Sequence, residues 1–211
     1  MSIDAMRRDY GGTTLLESDV DPNPTIQFRT WFRQACDGEI YEPNAMTLAT
    51  VGRDGKPDSR IVLLKGIDDR GLTFFTNLTS TKAHDIAVNP HVSLTFYWDR
   101  LHRQVRITGD ASLLPRDEAE AYFHTRPRGS QLGAWVSAQS RIISDRSELE
   151  TAYANAEESF TDKEIPLPDH WGGYLVTPSL FEFWQGRTSR LHDRLRYRLS
   201  KDLWLIERLA P

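Results

Sequence analysis

Arg190, His192 and Arg194 occupy alternate positions in the stretch "FWQGRTSRLHDR" that runs from Phe183 to Arg194. On an extended strand successive side chains take opposite faces, so these three would point the same way. Buried together, two guanidiniums and an imidazole are costly unless an anion meets them. They therefore face either water or an anionic ligand. The alternation continues through Arg196 and Arg198, while Leu191, Leu195, Tyr197 and Leu199 take the other parity. A half-buried strand with a solvated face gives the same pattern, so spacing alone leaves both readings open.

Three other stretches could hold an anion, and phosphate is the anion they suit. In "SRIVLLK", Arg60 and Lys65 bracket an apolar run. Five residues apart, they point to opposite faces of an ideal strand. They are two solvated strand-end charges unless a flat ligand lies along the strand and meets both. In "NLTSTKAHDI", Ser80, Thr81 and Lys82 stand at a helix start, where free N–H groups and the positive end of the dipole attract anions. A lysine there opposes the dipole, so it is either solvated or matched by a bound phosphate. In "AYFHTRPRGSQLGAW", Tyr122 and Arg126 share a helix face before Pro127 ends the helix, and Ser130 opens the next. Together they could cradle a phosphate monoester, or simply cap and solvate the helix ends.

Other chemistry is missing from the sequence. No glycine-rich dinucleotide or nucleotide fingerprint is present. The six histidines show no metal-ligand spacing, so no metal is expected. No G-x-S-x-G supports a serine hydrolase. The single cysteine, Cys36, excludes an intrachain disulfide and is expected to pack on a helix. Whatever chemistry occurs is then expected to be carried by a cofactor held without a common nucleotide motif.

The elements that would position these residues are legible in outline. "DPNPTIQFRTWFRQACDG" reads as a helix capped by Asn23, with Pro24 in its first turn and Gly38 past its end. Its apolar face is Phe28, Trp31, Phe32 and Ala35. Strands follow at "AMTLATV", "SRIVLLKGI", "LTFFTN", "HVSLTFYW" and "RQVRITGDASL", separated by turn clusters that argue for antiparallel hairpins. A helix capped by Ser80 joins the third and fourth. Further helices are predicted over 115–126, 130–137 and 145–159, the last with Asp145 and Glu148 at capping-box spacing. "GGYLVTP", "LFEFWQG" and a hairpin turning at Lys201-Asp202 close the chain, and "EESFTDKEIPLPDHW" is its one linker-like segment. The order of strands, helices and strands predicts an α+β fold, an antiparallel barrel with peripheral helices.

With 211 residues, 39% of them hydrophobic and 27% charged, the chain suits one soluble domain. A formal net charge of −4 opposes broad nucleic-acid binding. No apolar run approaches the roughly 18 to 20 residues of a membrane span, and the N-terminus lacks a signal-peptide block, so a cytoplasmic location is expected.

The chain resembles the pyridoxine (pyridoxamine) 5′-phosphate oxidase family. The resemblance rests on "RRDY" at Arg7, "RIVLLK" at Arg60, "FFTN" at Phe74, "RQVRITG" at Arg103 and "YFHTRPRGSQLGAWVSAQS" at Tyr122. It continues through "PLPDHWGG" at Pro166, "EFWQG", "RLHDR" and the terminal "RLAP", in the family's order over nearly the whole length. It implies an FMN-binding split β-barrel that dimerises, with FMN held where the subunits meet. Arg60, Ile61, Val62, Leu63, Leu64, Lys65, Phe75, Thr76, Thr81, Lys82, Gln104, Gln139, Ser140, Trp184 and Arg194 would then contact FMN. The substrate would meet Lys65, Tyr122, Arg126 and Ser130 at its phosphate and Arg190, Leu191 and His192 over its ring. Arg7, Arg8, Asp9 and Tyr10 belong to an arm, residues 1–20, that would fold as a lid over a single domain at 21–211. Arg190 and His192 would be the catalytic pair.

The implied activity is oxidation of pyridoxine or pyridoxamine 5′-phosphate to pyridoxal 5′-phosphate by O2, with hydrogen peroxide released. Two positions depart from the family pattern. Thr81 stands where an arginine is usual, so one charge-assisted contact to the FMN phosphate is missing. Glu42 stands where some relatives carry aspartate.

Overall fold

The computed structural model describes residues 2–6, 9–11 and 13–211. Arg7 and Arg8 lie outside the described residues. Helix α1 (Pro24–Asp37) begins as its sequence predicts, with the Asn23 side chain accepting the Thr25 N–H at 2.9 Å and Pro24 in the first turn. The Gly38 N–H donates to the Gln34 carbonyl at its end. Phe28, Trp31 and Ala35 are buried and Phe32 packs beside them. Cys36, expected to pack, is exposed, because one residue beyond Ala35 is rotated about 100° off the buried stripe.

The strands are β1 (Ala45–Val51), β2 (Pro57–Leu63), β3 (Gly66–Ile67), β4 (Leu72–Asn77), β5 (His91–Trp98), β6 (Arg103–Leu113), β7 (Trp171–Gln185), β8 (Asp193–Ser200) and β9 (Leu203–Arg208). They form one antiparallel sheet in the order β2-β1-β5-β6-β7-β4-β3, with β8 added to β7 and β9 to β8. Two expectations are corrected. The run "SRIVLLKGI" is two strands, because Leu64 N–H turns to the Asn44 carbonyl and Lys65 N–H to the Thr73 carbonyl, both at 2.8 Å. Conversely, "GGYLVTP" and "LFEFWQG" are one strand, β7, which passes Pro178 where the pairing with β6 shifts register between Thr108 and Gly109. A side chain at Gly109 has no room there, since its Cβ would lie 2.2 Å from the Thr177 carbonyl oxygen. The β8–β9 hairpin turns on Lys201 and Asp202, both with left-handed φ (48° and 64°), as a two-residue turn matched to strand twist requires.

Helices α2 (Thr81–Val88), α3 (Arg116–Thr125), α4 (Arg128–Val136) and α5 (Arg146–Ser159) pack outside the sheet. Three local expectations shift. Ser80 precedes α2 but spends its hydroxyl on the Asn77 carbonyl, so it makes no side-chain cap. α4 starts two residues before Ser130, which sits in its first turn. Glu148 reaches back to the Ser144 N–H, one residue upstream of the predicted box.

The main core sits between α1 and the sheet, with Phe28, Trp31, Phe96, Trp98, Phe181, Phe183 and Tyr197 at its centre. A second cluster joins α3 and α4 to Ile165, Leu167 and Trp171. The stretch that reads as a linker is therefore anchored, with Ile165 1% and Leu167 7% exposed. Among the described residues no helix is long and apolar enough to cross a membrane.

Candidate active site

A cleft of about 1000 Å³ opens between β2, the end of β4, the start of α2 and the α3–α4 corner. Arg60 and Lys65 both line it. They reach one space because β2 ends at Leu63, which cancels the opposite-face geometry of a continuous strand. Ile61, Val62 and Leu63 line it too, whereas Leu64 is buried in the main core and is not part of the wall. Arg60 is held by Thr50 Oγ1 at 2.7 Å and Asp58 at 2.5 Å, with Asp85 3.9 Å away.

Lys82 is 7% exposed, and its Nζ donates to Gln139 Oε1 (3.0 Å), Thr76 Oγ1 (3.3 Å) and Ser80 Oγ (3.3 Å). All three are neutral. Burial, and then the nearby Arg60 charge, push its pKa below the ordinary lysine value. Thr76 also donates to Gln139, and the Thr81 N–H donates to Ser140 Oγ at 3.2 Å. The first turn of α2 thus brings the Lys82 cation to one end of the cleft, with the Thr81 N–H engaged by Ser140 beside it.

At the other end Phe75, Tyr122 and Trp171 form a stack, with ring centroids 4.0 Å apart for Phe75–Tyr122 and 5.4 Å for Phe75–Trp171. The Arg126 guanidinium lies 4.8 Å from the Trp171 ring. Its Nη1 is buried and has no hydrogen-bond partner among the described residues. Burial lowers its pKa, opposed by Tyr122. Ser130 lines the same end. Trp171 and Asp58 were not singled out from sequence. Asp58 shares strand parity with Arg60, a signal that was available, but nothing in "PDHWGG" marks Trp171 as a platform.

The remaining predicted residues lie elsewhere. Gln104 pairs with Trp184 across β6–β7, and Trp184 with Arg194 across β7–β8. None of Gln104, Trp184, Arg190, Leu191, His192 and Arg194 lines the cleft. The alternation that suggested a common face is also corrected. β8 begins only at Asp193, and Thr188–Arg190 form a 3-10 turn with Ser189 and Arg190 at left-handed φ (56° and 63°). Arg190 and Leu191 are exposed. Arg194 donates to Glu182 at 2.9 Å and to the Ala210 carbonyl at 2.8 Å.

The His192 ring packs 4.6 Å from Trp184, and its Nδ1 accepts the Arg187 N–H at 3.0 Å. Partial burial and Arg190 lower its pKa. From the N-terminal arm, Tyr10 packs against His102, Trp184 and His192 at 4.9, 5.8 and 5.6 Å. Gly186 makes the room, since a Cβ there would lie 2.9 Å from Tyr10 Cγ. Asp9 is exposed, and so is Glu42, which does not line the cleft.

A family model described as pyridoxamine 5′-phosphate oxidase matches residues 32–160, and a second, described as the pyridoxine 5′-phosphate oxidase C-terminal dimerisation region, matches residues 171–211. The chain belongs to the pyridoxamine 5′-phosphate oxidase family. It is 54% identical over 211 residues to a pyridoxine/pyridoxamine 5′-phosphate oxidase of Cyanothece sp. (strain PCC 7425 / ATCC 29141), covering 100% of this chain and 99% of that one. It is 52% identical to the enzyme of the same name from Nocardioides sp. (strain ATCC BAA-499 / JS614), with the same coverage. Among solved structures, PhzG from Burkholderia lata 383, in complex with tetrahydrophenazine-1-carboxylic acid, superposes with a TM-score of 0.89 at 30% identity, covering 95% of this chain and 99% of that one. An FMN-binding protein of Nostoc punctiforme related to the oxidase shares the fold at a TM-score of 0.71 and 18% identity, covering 94% of this chain and 100% of that one. The architecture is the family's α+β split barrel. Trp184, Arg190, His192 and Arg194 all fall within the dimerisation region of the oxidase family, and the cleft residues up to Ser140 fall outside it.

Proposed function

We propose that this chain is an FMN-dependent oxidase that converts pyridoxine or pyridoxamine 5′-phosphate to pyridoxal 5′-phosphate, working as a homodimer whose sites each draw on both copies. The observation that carries the reading is the buried, unpartnered Nη1 of Arg126 in a cleft whose lining includes Arg60, Lys65, Lys82 and Arg126 but only one carboxylate, Asp58. Lys82 and Arg126, desolvated and without a protein carboxylate, suit a cofactor and a substrate that each bring a phosphate.

FMN fits the α2 end. Arg60, Lys82, Thr81 and Ser140 would hold its phosphate, while Ile61, Val62, Leu63, Lys65, Phe75, Thr76 and Gln139 would line its path. Gln104, Trp184 and Arg194 would close the site from the second copy. FMN, when bound, would supply the redox chemistry, a two-electron oxidation at the C4′ carbon with O2 as final acceptor and hydrogen peroxide as by-product. The pyridoxine substrate would leave as the aldehyde directly, and the amine would do so after water hydrolyses the oxidised C4′–N bond with loss of ammonia.

The chain's own part is binding and orientation. Lys65, Tyr122, Arg126 and Ser130 hold the substrate phosphate and so fix the ring's distance from the cofactor. Arg190, Leu191 and His192 of the second copy lie over the ring. Arg190 steadies the C4′ oxygen or amine. His192 is neutral near pH 7 and accepts at Nδ1, so its proton sits on Nε2, where it donates to the substrate. The arm at 1–20 acts as a lid over the domain at 21–211, and Tyr10, already seated on Trp184 and His192, is its contact with the ring pocket.

The test is anaerobic mixing of the FMN-loaded protein with each vitamer phosphate. The flavin band should bleach and return when oxygen is admitted. Bound FMN that neither vitamer reduces would remove the substrate assignment. It would turn attention to a ring bearing a carboxylate, like the ligand in the Burkholderia lata structure.

A further inference from the structure

Asp193 is the first residue of β8 and follows His192 directly. Its carboxylate collects three donors, from the N-terminal arm, the adjoining loop and the last strand. Oδ2 accepts the Leu15 N–H at 3.1 Å and Arg187 Nη1 at 3.0 Å, and Oδ1 accepts Arg208 Nη1 at 2.9 Å. Arg208 in turn grips both carboxylate oxygens of Glu17 and the Leu15 carbonyl, each at 2.8 Å. Hydrogen bonding to Arg208 holds the Glu17 carboxyl down to about 2, so the Glu17 charge persists at any working pH.

Arg187 is the joint between this network and the ring above it. Its side chain ends on Asp193 while its backbone N–H donates to His192 Nδ1 at 3.0 Å. The loop between them holds Ser189 and Arg190 at left-handed φ, a conformation that persists in residues other than glycine only where the surroundings over-determine it. The Arg187–Asp193 pair ties the two ends of that loop together. Asp193 is half-shielded, with 17% of its side chain exposed, as against 31% for Arg187, so the pair is less screened than an ordinary surface pair.

We infer that Asp193 is the positioning residue for His192: through Arg187 it fixes the imidazole with Nδ1 as acceptor and the proton on Nε2, and the Glu17–Arg208 pair anchors it from the base of the N-terminal arm. The inference rests on the assignment of His192 to the reaction. Asp193 touches neither substrate nor cofactor in this role.

The test is a double-mutant cycle on the FMN-loaded dimer. Asp193→Asn keeps the shape and an acceptor for the Leu15 N–H but removes the charge that holds Arg187. Alone it should lower kcat on the order of ten- to a hundred-fold, the scale set by misplacing a catalytic group by a fraction of an ångström to one ångström. FMN affinity should be unchanged. In a His192→Ala background the same substitution should cost less than about two-fold, because its target is gone. Nitrogen-15 NMR of labelled histidine, with the His192 signals assigned by their loss in His192→Ala, should show one tautomer in the native protein and a mixture in Asp193→Asn.

Asp193→Glu, which keeps the charge, should recover part of the loss. Equal losses in both backgrounds, or an unchanged tautomer, would overturn the inference. A His192→Ala variant with full turnover would instead overturn the assignment of His192, a different result from the same plates. Should Asp193→Asn fail to fold, Arg187→Met breaks the same pair from the more exposed side and enters the cycle in its place.

Discussion

The cleft and the 186–194 loop both gather cations, and apart from Arg60, which pairs with Asp58, the cleft treats its own in the opposite way. In the cleft, Lys82 is met only by neutral oxygens and Arg126 keeps a buried donor without a partner. In the loop region, Arg194 is matched by Glu182, Arg187 by Asp193, and Arg208 by Glu17 and Asp193. Desolvated cations without protein anions make a receptor for a ligand's anion. Cations already paired to carboxylates make a scaffold. In the proposed function the cleft binds and the loop positions, and within one copy the loop's residues do not line the cleft.

The sharpest way to break that division is to separate the halves genetically. Arg126→Met disables the cleft, and His192→Ala disables the loop, so at substrate well below the native KM each homodimer should be nearly inactive. In a mixed dimer one site combines both defects and the other is intact. An equal mixture that has exchanged subunits should regain about a quarter of native activity, from random pairing in a two-fold dimer. Mixed dimers that form, as judged by two affinity tags, yet stay inactive would place both halves in the same copy.

A smaller effect separates the two ends of the cleft. Arg126→Met should raise KM for the vitamer phosphate by about ten- to a hundred-fold, the range of a lost charge-assisted bond, and leave FMN binding alone. Lys82→Met should weaken FMN by about the same factor, read by fluorescence titration of the apoprotein, and leave KM unchanged at saturating FMN. The native protein should also lose FMN affinity on raising the pH at values below the ordinary lysine range, because burial has lowered the Lys82 pKa. If either substitution moved both constants equally, the cleft would not have two phosphate ends.

How much of this the sequence disclosed follows from the range of the interactions involved. Local signals were readable. The cap at Asn23, the strand bounds of β1, β4, β5 and β6, and the hairpin at Lys201-Asp202 depend on neighbours a few residues away. The candidate anion stretches at Arg60, Lys82 and Arg126 are each legible, yet their convergence on one cleft is not, since it rests on α2, β2 and the α3–α4 corner meeting in space. The strand reading of Arg190 to Arg194 failed because alternation cannot register a left-handed turn at non-glycine residues. Leu64 was placed on the FMN path, yet it turns into the core where β2 ends. The role of Asp193 is not legible in the sequence, because its donors come from residues 15, 187 and 208 and no spacing rule links those.

The smallest predicted effect concerns the charge state of the loop's imidazole. Partial burial and then the Arg190 charge lower the His192 pKa below 6.5, so the neutral ring that the reaction needs persists into mildly acidic solution. The acid limb of kcat/KM should therefore fall below pH 6.5 rather than at it. Arg190→Gln removes one of the two causes and should move that limb upward toward 6.5, even though turnover itself drops. The same shift acts on stability, and its sign follows from proton uptake. Between the lowered value and 6.5 the unfolded chain holds the extra proton and the folded one does not, so stability declines as pH falls through that window and is fully present above it. An acid limb that stayed in place in Arg190→Gln would assign the shift to burial alone and leave Arg190 to act on the substrate without tuning its neighbour.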